Sequence, residues 1–261
     1  MPQIDVAGAS VEYDRTGSGP DLLLVHSLLT EMTVFDVVLP QLAAAHRVTR
    51  INLPGFGASS PVKLDSVGAY ADHVAKAMDA LAVPKTTTVF GNGFGAFVVL
   101  QLAIRHGARF GKMIVADVVP AFPEPNRVPF RVMAEKVSTG GMQTVLDAAI
   151  GRMFPPAFAE ANAGVVAERK RRLGAVDAGC FAQACLGLSQ LDVTAQLPGI
   201  RNRSLVMCGA LDQTTPPTLA REVAAGIPGA TYRDIDGSGH CPMLEQPKVL
   251  VEYMQAFLAA A

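Results

Sequence analysis

The run Val89-Phe90-Gly91-Asn92-Gly93-Phe94-Gly95-Ala96 decides how this chain of 261 residues folds. A short apolar run feeds a Gly-rich turn, and helical spacing follows from Phe94 to Arg105, so the stretch reads as strand, tight turn and helix. Such a turn holds its central residue out at the carboxyl end of a strand. That residue is Gly93, which has no side chain to present.

Outward from this turn, short apolar runs bounded by turn residues alternate with longer segments of helical period, the pattern of crossover units on a mostly parallel sheet. Strands are expected at Val11 to Arg15, Asp21 to His26, Arg47 to Leu53, Thr86 to Phe90, Lys112 to Val118, Ser204 to Cys208 and Thr231 to Ile235. Helices are expected at Val34 to Ala45, Val67 to Leu81 behind a Ser66 cap, Phe94 to Arg105, Leu219 to Ala225 and Lys248 to Ala260. The strand rhythm stops from about Ala121 to Gln196, where a helical insertion is broken at Gly140-Gly141 and Pro155-Pro156. We therefore expect one discontinuous α/β core, residues 1–120 and 197–261, with a helical cap at 121–196.

Composition narrows the function classes. The length and an apolar share of 50% suit a single α/β domain with a large core. A net charge of -1 leaves no basic excess for phosphates or an anionic bilayer, so a small molecule is the expected partner, with neither nucleic acid nor membrane. Cys180, Cys185, Cys208 and Cys241 have neither metal-ligand spacing nor the density of a stapled secreted domain, and Met1 to Ser10 lacks an apolar signal core. A soluble cytoplasmic protein is expected, a monomer or a homodimer if the apolar stripe Val249, Leu250, Tyr253, Phe257 and Leu258 packs on a second copy instead of on the sheet. No cofactor or metal is implied. Gly91-x-Gly93-x-Gly95 lacks the downstream glycine spacing of a nucleotide-binding fingerprint.

Five segments together resemble the α/β-hydrolase superfamily across nearly the whole chain. They are Leu22 to Thr30 as oxyanion strand and loop, Asn52-Leu53-Pro54-Gly55-Phe56-Gly57-Ala58-Ser59 as the next strand-end turn, Gly91 to Ala96 as nucleophile elbow, Gly209-Ala210-Leu211-Asp212 as acid turn and Gly239-His240-Cys241-Pro242 as histidine loop. The resemblance implies a mostly parallel eight-stranded sheet flanked by helices, with the cap inserted after the sixth strand. Within the superfamily, Ser27-Leu28-Leu29-Thr30 and the stretch from Gly140-Gly141-Met142 to Pro216-Pro217 resemble 3-oxoadipate enol-lactonases. The Gly-Asn-x-Phe-Gly elbow and Asn52-Leu53-Pro54-Gly55 instead resemble carbon–carbon bond hydrolases of aromatic degradation.

Cleaving an ester or lactone carbonyl needs a nucleophile, an imidazole to take its proton, a carboxylate to fix the imidazole tautomer and N–H donors for the oxyanion. His240 suits the imidazole. Asp212 suits the carboxylate, with Asp117 at the end of an earlier strand as the alternative acid. Backbone N–H groups of Leu28 and Phe94 suit the oxyanion hole. Gly93 occupies the nucleophile position. Ser27 belongs to the oxyanion loop, where its hydroxyl braces the loop or meets substrate; attack from Ser27 or Cys241 is the less favoured alternative. Arg127 or Arg131 near the start of the insertion, or an arginine of Glu168-Arg169-Lys170-Arg171-Arg172, suits a substrate carboxylate, although that run otherwise reads as a solvated helix face. Met133, Met142, Met153, Phe130, Phe154, Phe158 and Phe181 pack the cap, some of them lining a pocket. His26 and His46 read as structural.

Losing the nucleophile of a triad costs on the order of a million-fold in turnover, about 8 kcal/mol. Glycine meanwhile adopts freely the backbone region that costs a side-chain-bearing residue about 1–3 kcal/mol at such a turn. Three functions remain open. One is an ester or (enol-)lactone hydrolase that is inactive or inactivated at position 93. Another is a cofactor-free enzyme using Asp212 and His240 as a general base on water or a C–H acid, in hydrolase, lyase, isomerase or decarboxylase chemistry. The third is a non-catalytic small-molecule receptor.

Overall fold

The computed structural model describes residues 1–260, and residue 261 lies outside them. Eight strands form one sheet in the order β1-β2-β4-β3-β5-β6-β7-β8. They are β1 (Gln3–Val6), β2 (Ala9–Thr16), β3 (Asp21–Val25), β4 (Arg47–Ile51), β5 (Thr88–Asn92), β6 (Met113–Ala116), β7 (Ser204–Gly209) and β8 (Thr231–Ile235). The first two pairings, β1 with β2 and β2 with β4, are antiparallel, and every later one is parallel. A parallel interior is covered on both faces, which is why β5, β6 and β7 are buried at every position. The eight-stranded α/β-hydrolase fold with its insertion after the sixth strand stands as the sequence implied.

The helices are α1 (Leu39–Ala43), α2 (Val67–Ala80), α3 (Phe94–His106), α4 (Glu124–Gly140), α5 (Leu146–Met153), α6 (Pro156–Ala161), α7 (Ala163–Leu173), α8 (Ala178–Gln190), α9 (Pro217–Gly226), α10 (Pro242–Glu245) and α11 (Pro247–Ala259). The helices α4 to α8 fill the gap between β6 and β7, interrupted at Gly141 and Pro155 as the sequence suggests. Ser66 caps α2, its side chain accepting from the Ala69 N–H. On α11 the inward residues are Leu250, Val251, Met254 and Phe257, a stripe shifted from the expected one, with Val249, Tyr253 and Leu258 half-buried beside it.

Three local readings change. Gln3–Val6 is a strand, held against β2 with Ile4 opposite Val11. The helix expected over Val34 to Ala45 splits into a 3-10 turn, Met32–Phe35, and the short α1, because Pro40 fits only the first turn of a helix. The strand expected at Thr86 begins at Thr88 and runs on to Asn92, since Thr87 N–H closes a turn on Pro84 and pairing with β6 continues to Asn92 opposite Ala116. Among the described residues no helix is long and apolar enough to cross a membrane.

Candidate active site

Parallel strands deliver their following loops to one edge. The loops after β3, β5, β6, β7 and β8 carry Ser27, Gly93, Asp117, Asp212 and His240, so residues remote in sequence meet at the carboxyl end of the sheet. At the elbow, Gly93 has φ 52° and ψ -119° and caps α3. Gly91 and Gly95 let the turn close: a side chain on the first would strike the Gly95 carbonyl, and one on the second the Val25 carbonyl. Gly93 N–H donates to the Ala116 carbonyl at 2.9 Å, tying the turn to β6.

His240 Nδ1 lies 2.8 Å from Asp212 Oδ2, and both side chains are buried. Asp212 is fixed by N–H donation from Thr214 (2.7 Å) and Thr215 (3.1 Å) to Oδ1, and by the Thr215 hydroxyl at 2.5 Å from Oδ2. With the carboxylate on Nδ1, Nε2 is the free nitrogen, and it faces the elbow: a Cβ placed on residue 93 would lie 2.7 Å from it. Burial alone would raise the Asp212 pKa, but the imidazolium and the hydrogen bonds hold it at about 2. Burial likewise works against a charged His240, and Asp212 outweighs it, so the imidazole titrates above its ordinary range.

Asp117, the alternative acid, does not reach Nδ1 but lies close behind. Its carboxylate accepts from Asn92 Nδ2 at 2.7 Å and from the Gly209 N–H at 2.9 Å, locking β5, β6 and β7 together. Burial, and then the neighbouring Asp212 charge, push its pKa well up. Asp117, Asp212 and His240 stand close enough to share a cation. Two of the donors a metal would need, Nδ1 and Oδ2, are engaged with each other.

Ser27, Leu28, Gly93, Phe94, Thr214, Thr215 and His240 line a cavity roofed by Phe130, Met133 and Arg152 from the insertion. Its free volume is about 20 Å³, room for one water. Arg152 and His240 also line an outer cleft of about 260 Å³ with Phe154, Pro155 and Leu211, so the two side chains stand between inner cavity and exterior.

The arginines expected at the site are elsewhere. Arg127 Nε donates to the Phe122 carbonyl at 2.6 Å, just ahead of α4, and Arg131 pairs with Glu124 on the exposed side of the same helix. Nor is the Glu168–Arg172 run wholly solvated. Arg169 is buried and donates to Glu31 at 3.2 Å, and Arg172 approaches the same carboxylate at 3.4 Å, bolting α7 to the oxyanion loop. Of the packing residues, Phe130 and Met133 line the cavity. His26 is structural: Nε2 accepts from the Leu53 N–H at 3.0 Å, which makes Nδ1 the donor to the Ser27 carbonyl at 2.7 Å, and burial lowers its pKa to about 4. His46 Nδ1 contacts the Leu42 carbonyl at 3.3 Å.

Three contributors escaped the sequence reading. Arg152 is half-buried with its guanidinium stacked over Phe130, 5.4 Å from the ring centre, and among the described residues no carboxylate pairs with it. Glu245 is buried and grips the histidine loop, accepting from the Gly239 N–H at 2.6 Å and the Cys241 N–H at 2.8 Å on separate oxygens. Its reach back to the Cys241 N–H spans four residues, and an acidic residue in the first turn after Pro242 was an available signal for such a contact. Thr215 likewise follows from the Asp212-Gln213-Thr214-Thr215 turn, in which an Asp side chain binds N–H groups two and three residues on.

A family model described as the alpha/beta hydrolase family matches residues 22–253. The chain belongs to this family. Among curated relatives, polyketide synthase ThaQ of Burkholderia thailandensis is 30% identical over 257 residues, covering 96% of this chain, which in turn spans only 12% of that protein's length. A pimeloyl-[acyl-carrier protein] methyl ester esterase of Nitrosomonas europaea is 26% identical, with 95% of this chain and 99% of the relative covered. Among solved structures, the enol-lactonase from Burkholderia xenovorans LB400 superposes with a TM-score of 0.92 at 26% identity, covering 99% of this chain and all of that one.

Proposed function

We propose that this alpha/beta hydrolase cleaves carboxylic esters or lactones with His240, steered by Asp212, as the general base, although residue 93 brings no hydroxyl. The observation that carries this reading is the Asp212–His240 contact of 2.8 Å, its free nitrogen directed at the elbow inside a water-sized cavity. An isolated structural histidine has no need of a buried carboxylate held by four hydrogen bonds. The named esterase and lactonase relatives support the bond class.

In the proposed reaction the substrate carbonyl lies against the N–H groups of Leu28 and Phe94, and His240 Nε2 takes the proton of the attacking group and returns it to the leaving alkoxide. Base catalysis of this kind contributes about 10²–10⁴-fold and an oxyanion donor about 10²–10³-fold, enough for a measurable enzyme even when the nucleophile is weak. A panel of aryl esters, methyl esters and small lactones should be hydrolysed by the unaltered chain, and His240→Ala should abolish the reaction. Undiminished turnover by His240→Ala would refute the reading.

The missing hydroxyl favours a second reading, in which the same base works on a C–H acid. Solvent deuterium incorporation into a ketone or keto-acid without ester cleavage would select it.

A further inference from the structure

We infer that Ser27 has taken over the nucleophilic hydroxyl that the elbow lacks. The inference rests on the hydrolase reading above and specifies which group His240 deprotonates. The first observation is steric. A Cβ built on residue 93 meets Ser27 Cβ at 3.0 Å and Ser27 Oγ closer still, so the Ser27 hydroxyl stands inside the volume that a side chain on the elbow would fill. That same point is 2.7 Å from His240 Nε2, which places Oγ and Nε2 within about 5 Å of each other, a gap that one water or a turn of the Ser27 side chain closes.

The second observation concerns the oxyanion donors. Phe94 N–H points at Ser27 Oγ, 3.4 Å away. In an elbow mechanism one donor belongs to the residue after the nucleophile and the other comes from the facing loop. Here Leu28 follows Ser27 just as Phe94 follows Gly93. Moving the hydroxyl from residue 93 to residue 27 therefore exchanges the two donors' parts and preserves both. Among the described residues no protein acceptor takes the Leu28 N–H. Ser27 itself is buried and rigidly mounted, its N–H donating to Thr30 Oγ1 at 3.1 Å and its carbonyl receiving His26 Nδ1 and the Thr30 N–H.

In this scheme Ser27 Oγ bonds to the substrate carbonyl carbon as its proton passes to His240 Nε2. The tetrahedral oxyanion rests on the two N–H groups, the bond to the leaving oxygen breaks, and the Nε2 proton goes to that oxygen. Water then adds to the acyl-Ser27 ester with its proton going to Nε2. Collapse releases the acid and restores the Ser27 hydroxyl with that proton.

The test is covalent labelling of the intact protein with a fluorophosphonate, followed by peptide mass spectrometry, alongside aryl-ester turnover. We expect one phosphonyl group on the Ser27 peptide, none in Ser27→Ala or His240→Ala, and a loss of at least 10³-fold in turnover for Ser27→Ala with its melting temperature retained. Ser27→Cys should accumulate a thioester with an activated ester, a signature that a merely bracing residue cannot give. Turnover in Ser27→Ala equal to that of the unaltered chain, or an adduct elsewhere, would overturn the proposal while leaving the His240 reading intact, with water as nucleophile. Labelling of Ser27 without ester turnover would uphold it and remove the ester assignment. Neither labelling nor turnover would remove both.

Discussion

Restoring a serine at residue 93 is the obvious manipulation of this site, and the geometry predicts that alone it will damage the protein. Two separable costs arise. A side chain at φ 52° and ψ -119° carries backbone strain of about 1–3 kcal/mol that glycine escapes. Its Cβ also overlaps the Ser27 side chain and stands 2.7 Å from His240 Nε2, so Ser27 must leave its position, an overpacking cost of about 1–3 kcal/mol. Together, Gly93→Ser or Gly93→Ala should destabilise by roughly 2–6 kcal/mol, lowering the melting temperature by roughly 4–24 °C for a chain of this size. Only the second cost involves Ser27. Urea unfolding of Gly93→Ala, Ser27→Gly and the double variant should give a coupling of about 1–3 kcal/mol, the double variant retaining the backbone strain and the close approach to His240 but not the overlap with Ser27. Ester hydrolysis through a conventional elbow should accordingly be stronger in Gly93→Ser combined with Ser27→Gly than in Gly93→Ser alone. Additivity of the two single changes within about 0.5 kcal/mol would show that Ser27 does not occupy the elbow's volume, and would refute the steric reasoning.

Other consequences are open to measurement. Because Asp212 raises the His240 pKa and only the neutral imidazole is a base, turnover should climb with pH along a limb whose midpoint lies above about 6.5. Asp212→Asn removes the main influence that offsets burial, so the limb should move to lower pH while kcat falls by about 10⁴-fold; a pH–rate profile of both proteins checks this. Arg152, facing the cavity with no carboxylate paired to it among the described residues, should prefer substrates that carry an acid group near the acyl carbon. Arg152→Gln should raise KM for a carboxylate-bearing ester by about 10–100-fold and leave the neutral methyl ester unchanged, the value of a charge-assisted hydrogen bond of about 1.5–3 kcal/mol. Glu245→Ala orphans two buried N–H groups of the histidine loop, at about 1–3 kcal/mol each, and should depress kcat more than KM, read from steady-state kinetics beside urea unfolding.

What the sequence revealed and what it hid divide along the range of the interactions. The strand ends, the elbow and the Asp212 and Asp117 turns are written in contiguous residues, because turn chemistry and strand period act over a few positions. The edge order of the sheet brought His240 to Asp212 without any further information. Arg127 and Arg131 misled for the same reason: near the start of an insertion they looked free, yet each is engaged close by in sequence, Arg127 by the Phe122 carbonyl just ahead of its helix and Arg131 by Glu124 at the helix start. Arg152 and the Arg169–Glu31 bolt depend on how the inserted helices settle on the core, across a separation of 138 residues in the second case, and no local pattern encodes that.

The pair that most alters the reading, Ser27 and Gly93, is also through-space, and it changes what the glycine means. A serine deleted from an otherwise unchanged site would leave a void at the elbow, with His240 facing water where a hydroxyl had been. The Ser27 side chain instead fills that volume, and Phe94 N–H points at its oxygen. Filling it sets residue 93 under a constraint independent of chemistry, because any Cβ there now pays both strain and overlap. Glycine at the elbow and serine at the oxyanion loop are thus one arrangement: each residue is tolerated because of the other, and the coupling measured between them is a direct reading of whether this site has been rebuilt or only disarmed.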